Sequence, residues 1–318
     1  MDPIRGPGDP RFHGTVDPTR RDACRTLLGV GGMVFSAGAL AAGPSLVIRH
    51  PAPESANDIR RKFAYQVLAM ALDKTVHDAG PVTFAAANVP MSPIRTFKEQ
   101  ASGHIDLSVS TYLPPEYRDT LQVVPFPIDR GLNGQKVCII RKETQALVDK
   151  VKSIDDLKAF PIIQSAQWVE VEILRNAGLT VDTPAVVYGP LMNWLNVVRG
   201  ELLARSVGDI VAELKARPEL SDVLTIEKNL LLQIQMARYY VVRKDASGES
   251  LKNRILEGLN RIQKDGSYMK AYATYKATAL SGLKLKGRHV LRIPNSAYSA
   301  EYLTDKKEFW DDLHTELL

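Results

Sequence analysis

From residue 45 onwards, short β-rich runs alternate with segments of helical periodicity. Residues 45–49 contain the apolar run Leu46-Val47-Ile48, as in a buried strand, and a helix follows in which Phe63 and Val67 share one face. Another β-rich run occupies 82–86. Because an alternation of strands and helices packs as sheets covered by helices, the pattern predicts an α/β fold and excludes all-helical and all-β architectures.

Helix starts and strands can be placed from local signals along the rest of the chain. Ser92 before Pro93 is typical of an N-cap, and Ser153 opens a segment with the spacing of a capping box. Strands are expected at 185–188 and at 239–243. Cys138 lies among strand-forming apolar residues, which predicts a buried, unreactive thiol.

Two β-rich segments, 136–141 and 238–243, divide the chain into three parts. A discontinuous domain with an inserted second domain requires two such segments, at which the chain passes from one domain to the other and back. We therefore expect a first lobe formed by 45–141 and 239–318, with a second lobe formed by 142–238.

The N-terminal segment has the order of an export signal. Thr19-Arg20-Arg21 precedes an apolar, glycine-rich stretch from 27 to 40, and Ala39-Leu40-Ala41 is a small-residue cleavage site. Residues 1–41 are therefore predicted to be a signal peptide that is removed after Ala41, and the mature protein is expected in the periplasm. The arginine pair resembles a twin-arginine signal, but export by the Sec route stays open, as does an uncleaved anchor.

Composition excludes several classes of protein. Lys plus Arg number 41 against 36 Asp plus Glu, and no run of like charges suggests binding to nucleic acid. With two cysteines in the whole chain, a disulfide scaffold or a multi-thiolate metal site is ruled out. The six histidines are dispersed singly, so neither a metal nor a cofactor is expected. We expect a monomer without membrane insertion after signal cleavage.

Several segments in the same order resemble the type II periplasmic substrate-binding proteins, in the branch of transporter substrate-binding domains similar to extracellular solute-binding family 3. The segments are Pro51-Ala52-Pro53-Glu54-Ser55, Gly103-His104-Ile105-Asp106-Leu107, residues 124–134, Gln164-Ser165-Ala166-Gln167-Trp168, Val198-Arg199-Gly200-Glu201 and Asp265-Gly266-Ser267. The resemblance implies two lobes joined by two hinge strands, with a ligand in the cleft. It also implies capture of a small polar solute, an amino acid or another carboxylate, for an ABC transporter permease or a sensor kinase.

The candidate ligand-binding residues lie in loops that follow strands, because ligands of α/β folds bind at the carboxyl ends of strands. In amino-acid-binding relatives an arginine clamps the ligand carboxylate, and Arg118 is the nearest match, although five residues inserted after Thr111 break the usual spacing. Trp168 is expected to form one wall of the cleft. The full set is Arg118, Trp168, Ser110, Thr111, Tyr112, Ser165, Gln167, Arg205 and Glu54.

Other readings stay open at this point. An enzyme similar to cyclohexadienyl dehydratase would need an acid over its substrate, for which Glu54 and Glu170 are the candidates. A fold that has lost its ligand and binds a partner protein is the third possibility. The basic triplet Arg60-Arg61-Lys62 is interpreted as the solvated face of the first helix.

Overall fold

The computed structural model describes residues 45–53, 58, 60–186, 188–295, 297–303 and 305–318. The predicted signal peptide, 1–41, and Glu54 lie outside the described residues. The strands of the described part are β1 (Leu46–Ala52), β2 (Val82–Pro90), β3 (Leu107–Ser110), β4 (Leu121–Val123), β5 (Gln135–Arg141), β6 (Ile162–Ser165), β7 (Val181–Ala185), β8 (Leu202–Ser206), β9 (Leu224–Ile226), β10 (Leu230–Ile234), β11 (Tyr239–Arg243) and β12 (His289–Ile293).

Helices separate most of these strands, as the alternating pattern predicts. The α-helices of the described part are α1 (Lys62–Asp73), α2 (Val76–Ala79), α3 (Pro93–Ala101), α4 (Gln145–Val148), α5 (Ile154–Leu157), α6 (Glu170–Asn176), α7 (Gly189–Val197), α8 (Ile210–Lys215), α9 (Ala246–Lys264), α10 (Ser267–Leu280) and α11 (His314–Leu317). None of the described helices is long and apolar enough to span a membrane.

The first group of strands has the spatial order β2-β1-β3-β11-β4. β1 pairs with β2 in parallel, and β11 pairs antiparallel with β3 and β4. A bond from the backbone N–H of Asp106 to the carbonyl oxygen of Arg49, at 2.9 Å, links β1 to the start of β3. Helix α1 buries Phe63 and Val67, the residues that the sequence places on one face, and α9 packs closely against it. The prediction that Phe63 and Val67 lie on the same face of the first helix is therefore confirmed.

The second group is a seven-stranded sheet of order β12-β10-β5-β8-β6-β7, with β9 paired to β5. β5 is antiparallel to β8, β9 and β10, whereas β6 is parallel to its neighbours β7 and β8. The hydrogen bonds of β5 thus connect it to strands of 142–238. The lobe boundaries drawn from the sequence stay a prediction.

Two chain segments, 124–134 and 235–238, connect the two groups of strands and run side by side. The N–H of Ile128 donates to the carbonyl oxygen of Arg238 at 2.9 Å, and the N–H of Arg238 donates to Asp129 Oδ1 at 3.1 Å. The Arg238 guanidinium also binds Asp129 Oδ2 at 3.2 Å and Asp209 Oδ2 at 2.5 Å. We call segment 124–134 the first crossing and segment 235–238 the second crossing. A buried ion triad therefore joins both crossings to the segment before α8.

Most local predictions are confirmed. The strand expected at 45–49 forms as β1, but it is not a buried strand, because Leu46 and Val47 are exposed. Ser92 caps α3 by accepting a bond from the N–H of Arg95, and Ser153 forms a capping box with Asp156. Cys138 is fully buried, and burial raises the pKa of its thiol well above the usual value. The strand expected at 185–188 is wrong, because β7 ends at Ala185 and the chain turns into α7.

Asp245 caps α9, and its replacement by alanine should destabilise the protein by about 1 kcal/mol at pH 7. Its Oδ1 accepts a bond from the N–H of Gly248 at 2.7 Å, and this bond, together with Arg243, holds the pKa of the carboxyl well below its usual value. A pKa that is depressed in the folded state contributes stability above the unfolded value, and this contribution is lost as the pH falls.

The measurement is urea unfolding of wild type and Asp245→Ala at pH 7 and at pH 3. We expect the difference in free energy of unfolding between the two proteins to be smaller at pH 3 than at pH 7, since the carboxylate of the unfolded chain is then protonated. Asp222→Ala, at an exposed position, is the matched control and should leave the free energy of unfolding unchanged at both pH values. A difference that is independent of pH would contradict the capping role.

Candidate functional site

A cavity of about 160 Å³ lies where the carboxyl ends of β3 and β8 meet the starts of α3 and β5. It receives residues from both groups of strands, for instance Ser110 from β3 and Ser206 from β8. The lining residues are Pro51, Arg60, Arg61, Pro93, Ile94, Thr96, Phe97, Ser108, Val109, Ser110, Thr111, Tyr112, Pro114, Asn133, Lys136, Gln167, Trp168, Val169, Glu170, Arg205, Ser206, Asp209 and Arg238. A cavity of about 150 Å³ can hold a molecule the size of benzene, so this volume suits a small solute.

Two polar atoms in this lining have no hydrogen-bond partner in the described part of the chain. They are Oγ1 of Thr96, a residue that is only 5 % exposed, and Oε1 of Gln167. An unsatisfied buried polar group costs about 1–3 kcal/mol. Both atoms are therefore suited to bind a polar group that enters the cavity.

Arg205 lies in a pocket formed by Trp168, Tyr188 and Glu213, which we call the guanidinium pocket. The centre of its guanidinium group is 4.6 Å from each of the two ring centroids, and the rings are inclined by only 18° to each other. Nε and Nη2 donate to the two carboxylate oxygens of Glu213 at 2.7 and 2.5 Å. The residue is 5 % exposed, so this charge is both paired and stacked.

Lys136 and Glu170 form a second buried ion pair at the cavity wall. Nζ of Lys136 donates to Oε1 of Glu170 at 3.0 Å. Burial alone would raise the pKa of Glu170, but the charge of Lys136 and its hydrogen bond outweigh this effect and hold the pKa below its usual value. Glu170 is therefore a carboxylate at neutral pH.

Arg60 and Arg61 line the cavity from the segment before α1. The guanidinium of Arg60 binds Asp58 Oδ2 at 2.8 Å and lies 5.7 Å from the centre of the Tyr188 ring. Both arginines are half-buried, whereas Lys62 is exposed. The interpretation of this triplet as a solvated helix face is wrong for the two arginines, because α1 begins only at Lys62 and the preceding turn directs them to the cavity.

The structure brings together six of the nine residues that the sequence nominates, places two outside the cavity lining and does not describe the ninth. Arg118 does not line the cavity: its Nε bonds the carbonyl oxygen of Leu113 at 3.4 Å, and its guanidinium lies 5.8 Å from the Tyr112 ring. Ser165 is buried and donates to the carbonyl oxygen of Val186. Glu54 is outside the described residues. The residues that do line the cavity are Ser110, Thr111, Tyr112, Gln167, Trp168 and Arg205.

The sequence reasoning missed several polar lining residues, including Thr96, Asn133 and Lys136. Lys136 carried a usable signal, since a lysine inside an otherwise apolar strand must be paired when the strand is buried. Thr96 carried none, because a threonine next to Phe97 on an amphipathic helix is equally compatible with packing. No group of three or more His, Cys, Asp or Glu side chains suited to a metal ion occurs among the described residues.

Comparisons with known proteins address the fold. No family model matches the chain, and no curated protein does. Among solved structures, an ancestral arginine-binding protein bound to arginine is similar over 73% of this chain and 97% of its own length, with a TM-score of 0.51 and 20% identity. The VFT2 domain of Bordetella pertussis BvgS is similar over 73% of this chain and 94% of its own length, with a TM-score of 0.51 and 13% identity. A mutant of ArgBP from T. maritima is similar over 73% of this chain and 94% of its own length, with a TM-score of 0.50 and 15% identity.

The chain has the fold of a type II periplasmic binding protein. The predicted fold class is thereby confirmed. Type II periplasmic binding proteins have two lobes that close around a ligand by hinge rotation. The cavity of this chain is lined from both groups of strands and is bordered by Asn133 and Arg238 of the two connecting segments.

Proposed function

We propose that this protein is an exported solute-binding protein that holds a small polar solute in the cavity. The solute carries a carboxylate, as an amino acid or another organic acid does, and it passes to an ABC transporter permease or a sensor kinase. Export through the segment 1–41 would place the protein in the periplasm. The observation that carries the proposal is the presence of buried, unpartnered polar atoms, Thr96 Oγ1 and Gln167 Oε1, in a cavity of this fold.

The charges of the lining support an acidic solute. Cationic side chains outnumber carboxylates, five to two, among the described lining residues. The carboxylates are Glu170 and Asp209, and the cations are Arg60, Arg61, Lys136, Arg205 and Arg238. Four of these cations already have carboxylate partners, so the support lies in the excess of cationic N–H donors at the cavity surface, which suit a carboxylate, and not in a large net charge.

Glu170, one of the two candidate acids of the dehydratase alternative, is poorly suited to act as a general acid, and Glu54, the other, lies outside the described residues. A general acid must hold a proton at the working pH, yet the pKa of Glu170 is lowered by Lys136. Arg118, the clamp that the family resemblance implies, lies outside the cavity lining, so the proposal rests on the lining residues instead.

The test is a thermal-shift screen of the protein against a metabolite panel, followed by calorimetry with each hit. A solute at 100 times its dissociation constant should stabilise the protein by about 2.7 kcal/mol. If no solute stabilises the protein and a transporter or sensor domain binds it without one, the partner-binding alternative holds. Turnover of a prephenate-type substrate would instead favour the enzyme.

Thr96→Val should weaken binding of the identified acid by about 1.5–3 kcal/mol, because it removes a hydroxyl that can donate to the carboxylate. Gln167→Leu should weaken binding by about 0.5–1.5 kcal/mol when the acid also carries a hydroxyl group, which can donate to Oε1. Calorimetric titration gives the affinities. Thr144→Val and Gln145→Leu are the matched controls: Thr144 is buried away from the cavity, and Gln145 also has a buried Oε1 without a partner among the described residues. Equal losses in the control variants would remove the support for this site.

A further inference from the structure

The guanidinium pocket has the features of a binding site for a cation. Two aromatic faces and a bidentate carboxylate are the groups that proteins use to hold a guanidinium or an ammonium ion. Here the pocket opens on the cavity, since both Trp168 and Arg205 belong to its lining. The cation that fills it is the protein's own Arg205.

The carboxylates that line the cavity are likewise occupied by cations of the chain. Glu170 accepts a bond from Lys136, and Asp209 accepts one from Arg238. A solute ammonium or guanidinium group could bind these carboxylates only beside the buried cation that each already holds, and the repulsion between the two cations would weaken its binding. The lining cations are ion-paired as well, but a lysine has three N–H donors and an arginine has five, so a solute carboxylate can bind a cation such as Lys136 beside the bond that it already makes to Glu170.

We propose that Arg205 is a specificity-determining residue, whose guanidinium occupies the place in which the cleft would otherwise hold a cationic group of the solute. The site then takes organic acids that carry neither an ammonium nor a guanidinium group. This inference rests on the proposed function, which it narrows from carboxylates in general to acids without a cation.

The first arm of the test removes the internal cation. The full chain with Arg205→Ala is titrated with methylguanidinium and with L-arginine, and wild type is titrated in parallel at equal ionic strength. We expect methylguanidinium to bind the variant at least tenfold more tightly than wild type and to raise its melting temperature. The double variant Arg205→Ala, Glu213→Gln should lose this gain, because the pocket then has no anion.

The second arm compares matched solutes on wild type: succinate against L-aspartate, and 2-oxoglutarate against L-glutamate. The acid without the ammonium group should bind at least tenfold more tightly in a pair that binds at all. A preference for the amino acid would overturn the inference while leaving the solute-binding proposal intact.

Failure of the two proposals can be told apart. A wild type that binds no solute of the metabolite panel contradicts the proposed function, and the methylguanidinium titration still decides the role of Arg205. If Arg205→Ala does not fold, Arg205→Gln keeps an amide beside Glu213 and opens part of the pocket for the same titration. Absence of any gain for methylguanidinium in both variants overturns the inference.

Discussion

Replacing Arg238 with methionine should destabilise the protein by about 3–5 kcal/mol at pH 7. The guanidinium lies between two buried carboxylates, Asp129, which is 1 % exposed, and Asp209, which is 4 % exposed. Methionine fills a similar volume but carries no charge, so the variant keeps two buried anions without their cation. Denaturant unfolding of wild type and variant measures the loss.

The pH dependence separates this electrostatic cost from a packing defect. Burial already raises the pKa of Asp129 in the wild type, and the charge of Arg238 opposes that rise. Without Arg238 the pKa of the folded state should rise further above the unfolded value, so that folding takes up a proton as the pH falls. The deficit of Arg238→Met should therefore be smaller at pH 4 than at pH 7. An equal deficit at both values would contradict the role of the triad.

Local signals in the sequence predicted the parts of the fold that depend on neighbouring residues. Strand β11, Tyr239–Arg243, coincides with the expected run, and the serine caps of α3 and α5 form as expected. Pairing between distant strands carried no such signal. β12 joins the sheet beside β10, and nothing in its own residues indicates which of the other strands it meets.

The candidate site was predicted in part for the same reason. Ser110 to Tyr112 follow a strand, and position alone places them at the cleft. Arg205 was nominated as a residue that faces the cavity, yet its pairing with Glu213 and its stacking on Trp168 and Tyr188 depend on three separate elements. Arg60 and Arg61 reach the cavity because α1 starts later than its periodicity suggests. The positions of these arginine side chains depend on packing between residues far apart in the chain, which cannot be inferred from a single sequence.

Gly134→Ala should destabilise the protein by about 3 kcal/mol, at the upper end of the cost of overpacking. A methyl group on this residue would lie 1.8 Å from the carbonyl oxygen of Ile234 and 2.8 Å from the backbone nitrogen of Met236. Both are backbone atoms, one at the end of β10 and one in the second crossing, and they cannot rotate away as a side chain would, so Gly134 and this backbone would have to separate.

Urea unfolding of Gly134→Ala should therefore give a lower midpoint than wild type, with Gly189→Ala as the matched control. A Cβ at Gly189 has nothing within 4 Å, so that variant should stay within about 0.5 kcal/mol of wild type. Type II periplasmic binding proteins close by rotation about hinge segments, and we propose that the two crossings act as these segments here. On that proposal, a folded Gly134→Ala protein should also bind its solute with altered affinity. Unchanged stability in Gly134→Ala would show that the crossings are not packed as closely as their backbone atoms indicate.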